Sequence, residues 1–591
     1  MNKTIHPDSV PSKANAKAKA KAKTNPATNI RSKAKTRAKA ASLLLGTAAL
    51  LAALSACASN NNEPAGDSAG KDAGKDAAPA GSTQEAAAPA GSAQEVAAAG
   101  FPIVGTPVTL TALGAKAASH GEWKDMKVLN EYAKKTNIAI DWQTVPDAGF
   151  EEKRNIVLSG GDLPDILYRA KLTPYDEVNY GSQGILIPLN QLIDQYAPNI
   201  KAMFEKYPEV KKSITAPDGN IYSLPQVADY LAPRIGNKQF INKKWLEKLK
   251  LAIPTTTEEY YRVLKAFKEQ DPNGNGKADD IPWSGEKTSF NIWAGLRGSW
   301  GLGTTGDKNP NIDLGPDGKI RFYTIDPNYK GLLEYLHKLY QEGLIDNEVF
   351  TQETPQFLAK GTEGLVGSLN VSNPNVVGPK LMDDYVAVPA LKGPNGDHLY
   401  SPVNPTTQAQ GTFAITKHDK HPEATIRWVD YFYGEEGVKF FRMGIEGETY
   451  ETLADGSVQY KEAIAKNPDG LSLDQAIGQY SPWPGGGVPQ LIEEKVDRTG
   501  NSLPSALAAA KLLEPDIPRE ILPSFLFSKE DQDRLNALSG DITTYVNESR
   551  VKFVTGALPL NRYDSYVSTL KKMGVDELTA IYQQAYDHYK Q

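Results

Sequence analysis

Across 591 residues there is one cysteine, Cys57. A lone thiol closes no intrachain disulfide, forms no redox pair and builds no zinc–thiolate site. Long hydrophobic runs are missing too. Outside Ala41–Ala56 no stretch approaches the roughly 20 apolar residues of a bilayer span. The seven histidines include no HExxH pair. An excess of positive charge is absent as well. Formal net charge is −6, and residues 1–56 hold eleven Lys/Arg against one Asp, so the remainder carries 54 basic and 70 acidic residues, a balance of −16. Such a chain is a poor partner for nucleic acid or an anionic membrane surface.

What is present begins with a basic, Lys/Ala-rich leader, the apolar run Ala41–Ala56, and the tetrapeptide Leu54-Ser55-Ala56-Cys57. Basic region, short apolar region and small residues at the cut make a secretory signal. The ending resembles the bacterial lipobox, in which the cysteine sulfur is acylated and the chain is cut just before it. That reading starts the mature chain at Cys57, tethered by lipid at the extracytoplasmic face of the cell membrane. The competing readings are an ordinary signal with a chance cysteine, or a transmembrane anchor, for which the run is short. Residues 57–100 are small and polar, with "AAPAGSTQE" followed by "AAPAGSAQE". They cannot bury a core and read as a flexible tether.

From Pro102 the texture changes. Pro107–Gly114 and Ile138–Val145 read as strands, and Pro164–Ala170 as a third. Between them, Trp123–Asn137 and Glu151–Asp162 have helical spacing, the second stopped by Gly160-Gly161. Strand–helix–strand–helix–strand with short connections predicts an α/β fold with a parallel sheet and covering helices. Thr256 or Thr257 is placed to cap the helix in "TTEEYYRVLKAFKEQD".

The order of elements, together with "SGGDLPDILY" (159–168), "GILIPLNQLIDQYAPNI" (184–200), "DGNIYSLPQ" (218–226), the run from Phe240 to Gly285, "GIEGETYE" (444–451) and "YSPWPGG" (480–486), resembles the family 1 extracellular solute-binding lipoproteins of carbohydrate ABC importers. Within it the likeness is to the long branch that includes alginate-oligosaccharide-binding and LipO-type proteins, and it covers about 107–589. The resemblance implies a two-lobed, periplasmic-binding-protein-like fold of type II, each lobe a mixed sheet flanked by helices, joined by crossing hinge strands. It places lobe one at about 101–229 plus 408–447 and lobe two at about 230–407 plus 448–591. It further implies a monomer that binds an oligosaccharide in the cleft, passes it to ABC permease subunits, and is no enzyme. A lipid-tethered sugar sensor or adhesion module of the same fold is the alternative.

"DPNGNGKADD" (271–280) has the donors of a calcium loop. Calcium takes six to eight hard oxygens on a tight turn. Asp271, Asn273 and Asn275 alternate, Gly276 supplies the turn, Lys277 offers its carbonyl, and Asp279 falls at the ninth position. The EF-hand pattern asks for Glu at the twelfth, where Pro282 stands. The family's variant instead ends on the residue after the ninth, here Asp280. Read alone, the same residues also spell an Asx/Gly turn.

Other chemical spellings carry less. "GLGTTG" (301–306) lacks the preceding strand and following helix of a dinucleotide site. "GDSAG" (66–70) lies in the tether, where no nucleophile elbow forms. Sugar sites pair aromatic faces with planar polar groups, so the cleft candidates are Tyr168, Tyr230, Arg234, Trp293, Trp300 and Trp483, with Tyr480 and Arg297 beside them. Core packing is the alternative for each Trp. Arg234 and Arg297 suit an acidic sugar, which leaves acidic against neutral ligands open.

Overall fold

The structure, a computed structural model, describes residues 96–97, 99–287 and 293–591. The signal, Cys57 and nearly all of the tether lie outside the described residues. Its last residues do not: Val96 bridges Val104, and the Ala97 amide donates to the Ile103 carbonyl at 2.9 Å, so the folded part starts a few residues ahead of 101.

The first strands are β1 (Val108–Lys116), β2 (Ile138–Pro146), β3 (Ile166–Tyr168) and β4 (Leu224–Ala228). Next come β5 (Lys238–Asn242), β6 (Ile281–Ser284), β7 (Ile312–Leu314), β8 (Ile320–Phe322), β9 (Val366–Val371) and β10 (Tyr385–Ala387). The series closes with β11 (Thr407–Ile415), β12 (Tyr450–Thr452), β13 (Val458–Tyr460) and β14 (Gln490–Ile492). A six-stranded sheet runs β14-β4-β11-β3-β1-β2 and a four-stranded sheet runs β10-β5-β9-β6. Each is the centre of one lobe of a mixed α/β, two-lobed fold.

In the first sheet β1, β2 and β3 are parallel, β11 is antiparallel to β3 and β4, and β14 is parallel to β4. The carboxyl ends of β1, β3, β4 and β14 therefore share one edge. That edge is where open α/β sheets bind ligands. The helices over this sheet follow their apolar spacing and their stop residues. Lys127–Thr136 buries Val128, Leu129 and Tyr132 on one face and stops at Asn137, which is left-handed (φ 60°). Phe150–Gly160 stops at Gly161 (φ 83°). In the second lobe the Thr256 hydroxyl caps Thr257–Glu269 by accepting from the Glu259 amide at 3.1 Å.

The chain leaves the first sheet after β4, builds the second, and returns at β11. The stretch Tyr450–Val496, placed with lobe two on sequence grounds, packs with the first sheet. Tyr450, Val458, Ile464, Ile477, Trp483 and Leu491 share one buried cluster with Leu110, Ile166 and Phe413. Its strand β14 pairs with β4, which holds the segment there. Beyond it, Lys529–Thr555, Tyr563–Lys572 and Val575–Lys590 bury Ile542, Phe553, Tyr566 and Leu578 with Trp283, Leu332 and Leu336 of the second lobe. Among the described residues no helix is long and apolar enough to cross a membrane.

Candidate ligand cleft and metal loop

The carboxyl edge of the first sheet is roofed by one loop, Gly478–Pro489. Its backbone is fixed from below by the residues that end the strands. The Gly121 amide donates to the Gly478 carbonyl (2.9 Å) and the Val128 amide to the Tyr480 carbonyl (3.2 Å). The His120 ring accepts the Trp123 indole N–H at 3.2 Å through Nδ1 and faces the Pro484 carbonyl with Nε2 at 2.8 Å. An acceptor at Nδ1 makes Nε2 the donor of a neutral imidazole, and burial holds its pKa down to about 4. Arg169, just past β3, donates to the Gly486 carbonyl at 2.6 Å and the Gly485 carbonyl at 3.1 Å, and pairs with Asp147 at 2.6 Å. Gly485, Gly486 and Gly487 are all left-handed (φ 81°, 68° and 71°). A Cβ on Gly485 would lie 3.0 Å from the Arg169 guanidinium. Three glycines thus let the loop turn tightly onto the strand ends.

The Gly487 amide donates to Gln226 Oε1 on β4 at 3.0 Å. Gln226 is in register with Gln490 on β14. On β14 Gln490 alternates with Leu491, which is in the first sheet's main core, whereas on β4 both Leu224 and Val227, to either side of Gln226, reach that core. On their own face, Ala228 and Ile492 pack with Tyr230, Ala390, Tyr400 and Val403. These strand ends therefore pack against the segment that returns from the second sheet to the first. Neither glutamine carried a signal in the single sequence.

The sequence candidates are not gathered into one site. Tyr168 is fully buried, its ring edge-on to Trp123, Trp142, Phe413 and Trp428, and its hydroxyl has no partner. Trp483 is 5% exposed in the same core. Its indole N–H donates to the Arg442 carbonyl at 2.9 Å and the Arg442 guanidinium lies 4.3 Å from its ring. Both are packing residues, since β3 and the loop turn these rings inward rather than toward the other lobe. Tyr480, beside them, is only partly buried against the same core.

Tyr230 and Arg234 do sit at the crossing. The Tyr230 hydroxyl donates to Asp497, which also accepts from Arg442 at 2.8 Å. Arg234 donates to the Asn404 carbonyl at 3.0 Å and accepts at its own carbonyl from the Asn404 amide at 2.8 Å, tying the outgoing crossing to the returning one. Burial lowers the Arg234 pKa. Arg297 is held by Asp307 (2.7 Å) and the Tyr323 hydroxyl (3.1 Å).

Trp293 is buried under the Arg550 guanidinium, 4.0 Å from its ring, with its N–H unpartnered among the described residues. Trp300 is 3% exposed and tilts against Tyr335. It borders a cavity of about 540 Å³ in the second lobe, walled by Thr256, Glu258, Asn328, Glu334, Tyr335 and Lys392. No residue of the first sheet lines it. In "GLGTTG" the Gly303 and Thr304 amides donate to the Asp313 carboxylate at 2.7 and 3.2 Å. The N–H groups a phosphate would need are already taken.

The loop Asp271–Asp280 closes on its own hydrogen bonds. The Asp271 carboxylate accepts the amides of Gly274, Asn275 and Gly276 at 3.0–3.1 Å, and the Asn275 amide group donates to Asp279 at 2.9 Å. Asp280 keeps one carboxylate oxygen buried without a partner, and burial raises its pKa to about 6, with Asp271 and Asp279 in its field. An orphaned carboxylate oxygen is a group that a divalent cation can satisfy. The residues present fit calcium. Among the described residues no set of three or more His, Cys, Asp or Glu is gathered as a metal site; the loop's donors are a mixture of Asp and Asn.

The sequence matches the bacterial extracellular solute-binding proteins over residues 117–439. The fructooligosaccharide ABC transporter substrate-binding protein FusA of Streptococcus pneumoniae is 30% identical over 489 residues, 78% of this chain and 87% of FusA. Lipoprotein LipO of Bacillus subtilis is 25% identical over 482 residues, 77% of this chain and 86% of LipO. The FusA structure with kestose superposes with a TM-score of 0.66 at 28% identity, covering 82% of this chain and 99% of that one. FusA has also been solved as an EF-hand mutant with fructo-nystose. The alginate-binding protein AlgQ2, solved without calcium ion, superposes with a TM-score of 0.63 at 26% identity over 82% and 99% of the two chains.

Proposed function

We propose, from the premise that this chain belongs to the bacterial extracellular solute-binding protein family, that it captures an oligosaccharide between its two lobes and delivers it to an ABC permease. It does so as a monomer, tethered through Cys57, without altering the sugar. The observation that carries the reading is the likeness to a fructooligosaccharide-binding protein along almost the whole folded chain. It is supported by the carboxamides of Gln226 and Gln490, side by side on β4 and β14 near the carboxyl edge of the first sheet, the second with no hydrogen-bond partner. The crossings after β4 and before β11 supply the hinge, and closure is the motion such hinges make.

The test is a thermal-shift and scattering experiment on the purified chain with a panel of oligosaccharides. One or more sugars are expected to raise the melting temperature, to reduce the radius of gyration, and to be recovered intact after long incubation. A panel without effect on either readout removes the reading, and shortened sugars replace it with an enzyme.

The metal loop takes structural calcium in the same proposal. Asp271, Asn273, Asn275, Asp279 and Asp280 would supply side-chain oxygens and Lys277 its carbonyl. The ion would hold the turn between helix Thr257–Glu269 and β6 in a chain without disulfides. At calcium 100–1,000 times its dissociation constant the ion adds about 3–4 kcal/mol of stability. Chelator is expected to lower the melting temperature by several degrees, and Asp271→Ala with Asp279→Ala to abolish that sensitivity. Wild-type melting that ignores chelator and added calcium alike overturns the site.

A further inference from the structure

We infer that the ligand is a neutral, hydroxyl-rich sugar and that the paired carboxamides of Gln490 and Gln226, side by side on β14 and β4 of the first sheet, read its hydroxyls. This rests on the oligosaccharide reading above and deepens it.

Gln490 is fully buried, and neither its amide nitrogen nor its carbonyl oxygen has a hydrogen-bond partner. Buried amides are nearly always bonded, so one with both atoms idle needs an occupant to serve. Its register partner Gln226 spends only Oε1, on the Gly487 amide, and no described residue accepts from its Nε2–H. Side by side on parallel strands, the two amides offer donors and an acceptor at once. A carboxamide that donates and accepts together matches a hydroxyl group, which does the same. A carboxylate, which only accepts, would meet the Gln490 carbonyl without a proton to share.

Three of the arginines that could serve an acidic sugar are held by carboxylates. Arg169 is held by Asp147, Arg297 by Asp307 and Arg442 by Asp497. Lys238, buried where β5 enters the second sheet, donates to the carbonyls of Ala232, Ile235 and Ser372. Arg234 spends its Nε–H on the Asn404 carbonyl and forms no ion pair among the described residues.

The experiment is calorimetric titration of the whole folded chain with neutral probes (kestose, maltotriose) and acidic ones (trigalacturonate, an alginate trisaccharide), in wild type and Gln490→Leu. The expected result is binding of a neutral sugar, with uronates at least 100-fold weaker. Gln490→Leu is expected to lose at least tenfold in affinity while its ligand-free melting temperature holds or rises, because an idle amide is replaced by an apolar group of similar size. The comparison of sugars on wild type stands even if the variant folds poorly. Uronates binding as well as neutral sugars, or Gln490→Leu binding a neutral sugar as wild type does, overturns the inference and leaves the oligosaccharide reading intact. Silence across both classes overturns the two together.

Discussion

Trp483→Ala is expected to destabilise the ligand-free protein by about 3–5 kcal/mol, the usual cost of deleting a buried Trp side chain. The ring is 5% exposed, packed in the cluster that contains Leu110, Ile166 and Phe413. Its removal also leaves the Arg442 carbonyl without the indole N–H it accepts and the Arg442 guanidinium without the ring beside it. Arg442 in turn holds Asp497, and Asp497 accepts from Tyr230 at the crossing. The loss therefore reaches the hinge as well as the loop. Trp483→Phe, which keeps most of the ring but not the N–H, is expected to lose much less. Denaturant unfolding without sugar checks both. A Trp483→Ala chain as stable as wild type but unable to bind sugar would return this residue to the cleft, where the sequence had placed it.

That disagreement marks where sequence stops being legible. An aromatic in a Gly/Pro-rich loop reads the same whether its ring faces a sugar or a core. What decides Trp483 is a bond to Arg442, forty-one residues away, and no local pattern encodes it. Tyr168 is the same case: it ends a strand, yet its ring points into the core face, and Arg169, one residue on, reaches the loop. The reverse error hides Gln490. A lone Gln in "GGGVPQ" has no distinguishing feature until β14 is paired beside β4, 264 residues earlier.

Local physics was readable where one segment suffices. The helix Lys127–Thr136, its stop at Asn137, the Gly161 stop and the Thr256 cap all follow from spacing and propensity. So do the turn bonds of the Asp271–Asp280 loop, which run within ten residues. The path of Tyr450–Val496 back to the first sheet was not readable, because it depends on a three-residue strand finding its register. The long helix Lys529–Thr555 gave little signal, since its buried positions (Leu535, Ile542, Val546, Phe553) are widely spaced among charged residues.

Cys57→Ser is expected to abolish lipid labelling and to move the protein from the membrane fraction to the medium or to an unprocessed precursor. The argument is chemical. Acylation needs a sulfur nucleophile, and a serine hydroxyl, far less acidic than a thiol with a pKa near 8.5, does not replace it. No second cysteine exists to take over. Among the described residues no helix offers another anchor, and the mature chain's negative balance draws it away from anionic lipid. Stable tethering takes two hydrophobic signals where one acyl chain binds only marginally, so the outcome is all-or-none rather than graded. Metabolic labelling with an alkyne fatty acid and fractionation of cells carrying each version decide it. The same variant, purified from the medium, is expected to bind sugar as well as the tethered form, because the folded part begins near Val96, some forty residues beyond Cys57. A labelled, membrane-bound serine variant would mean that the chain is held by something other than this cysteine.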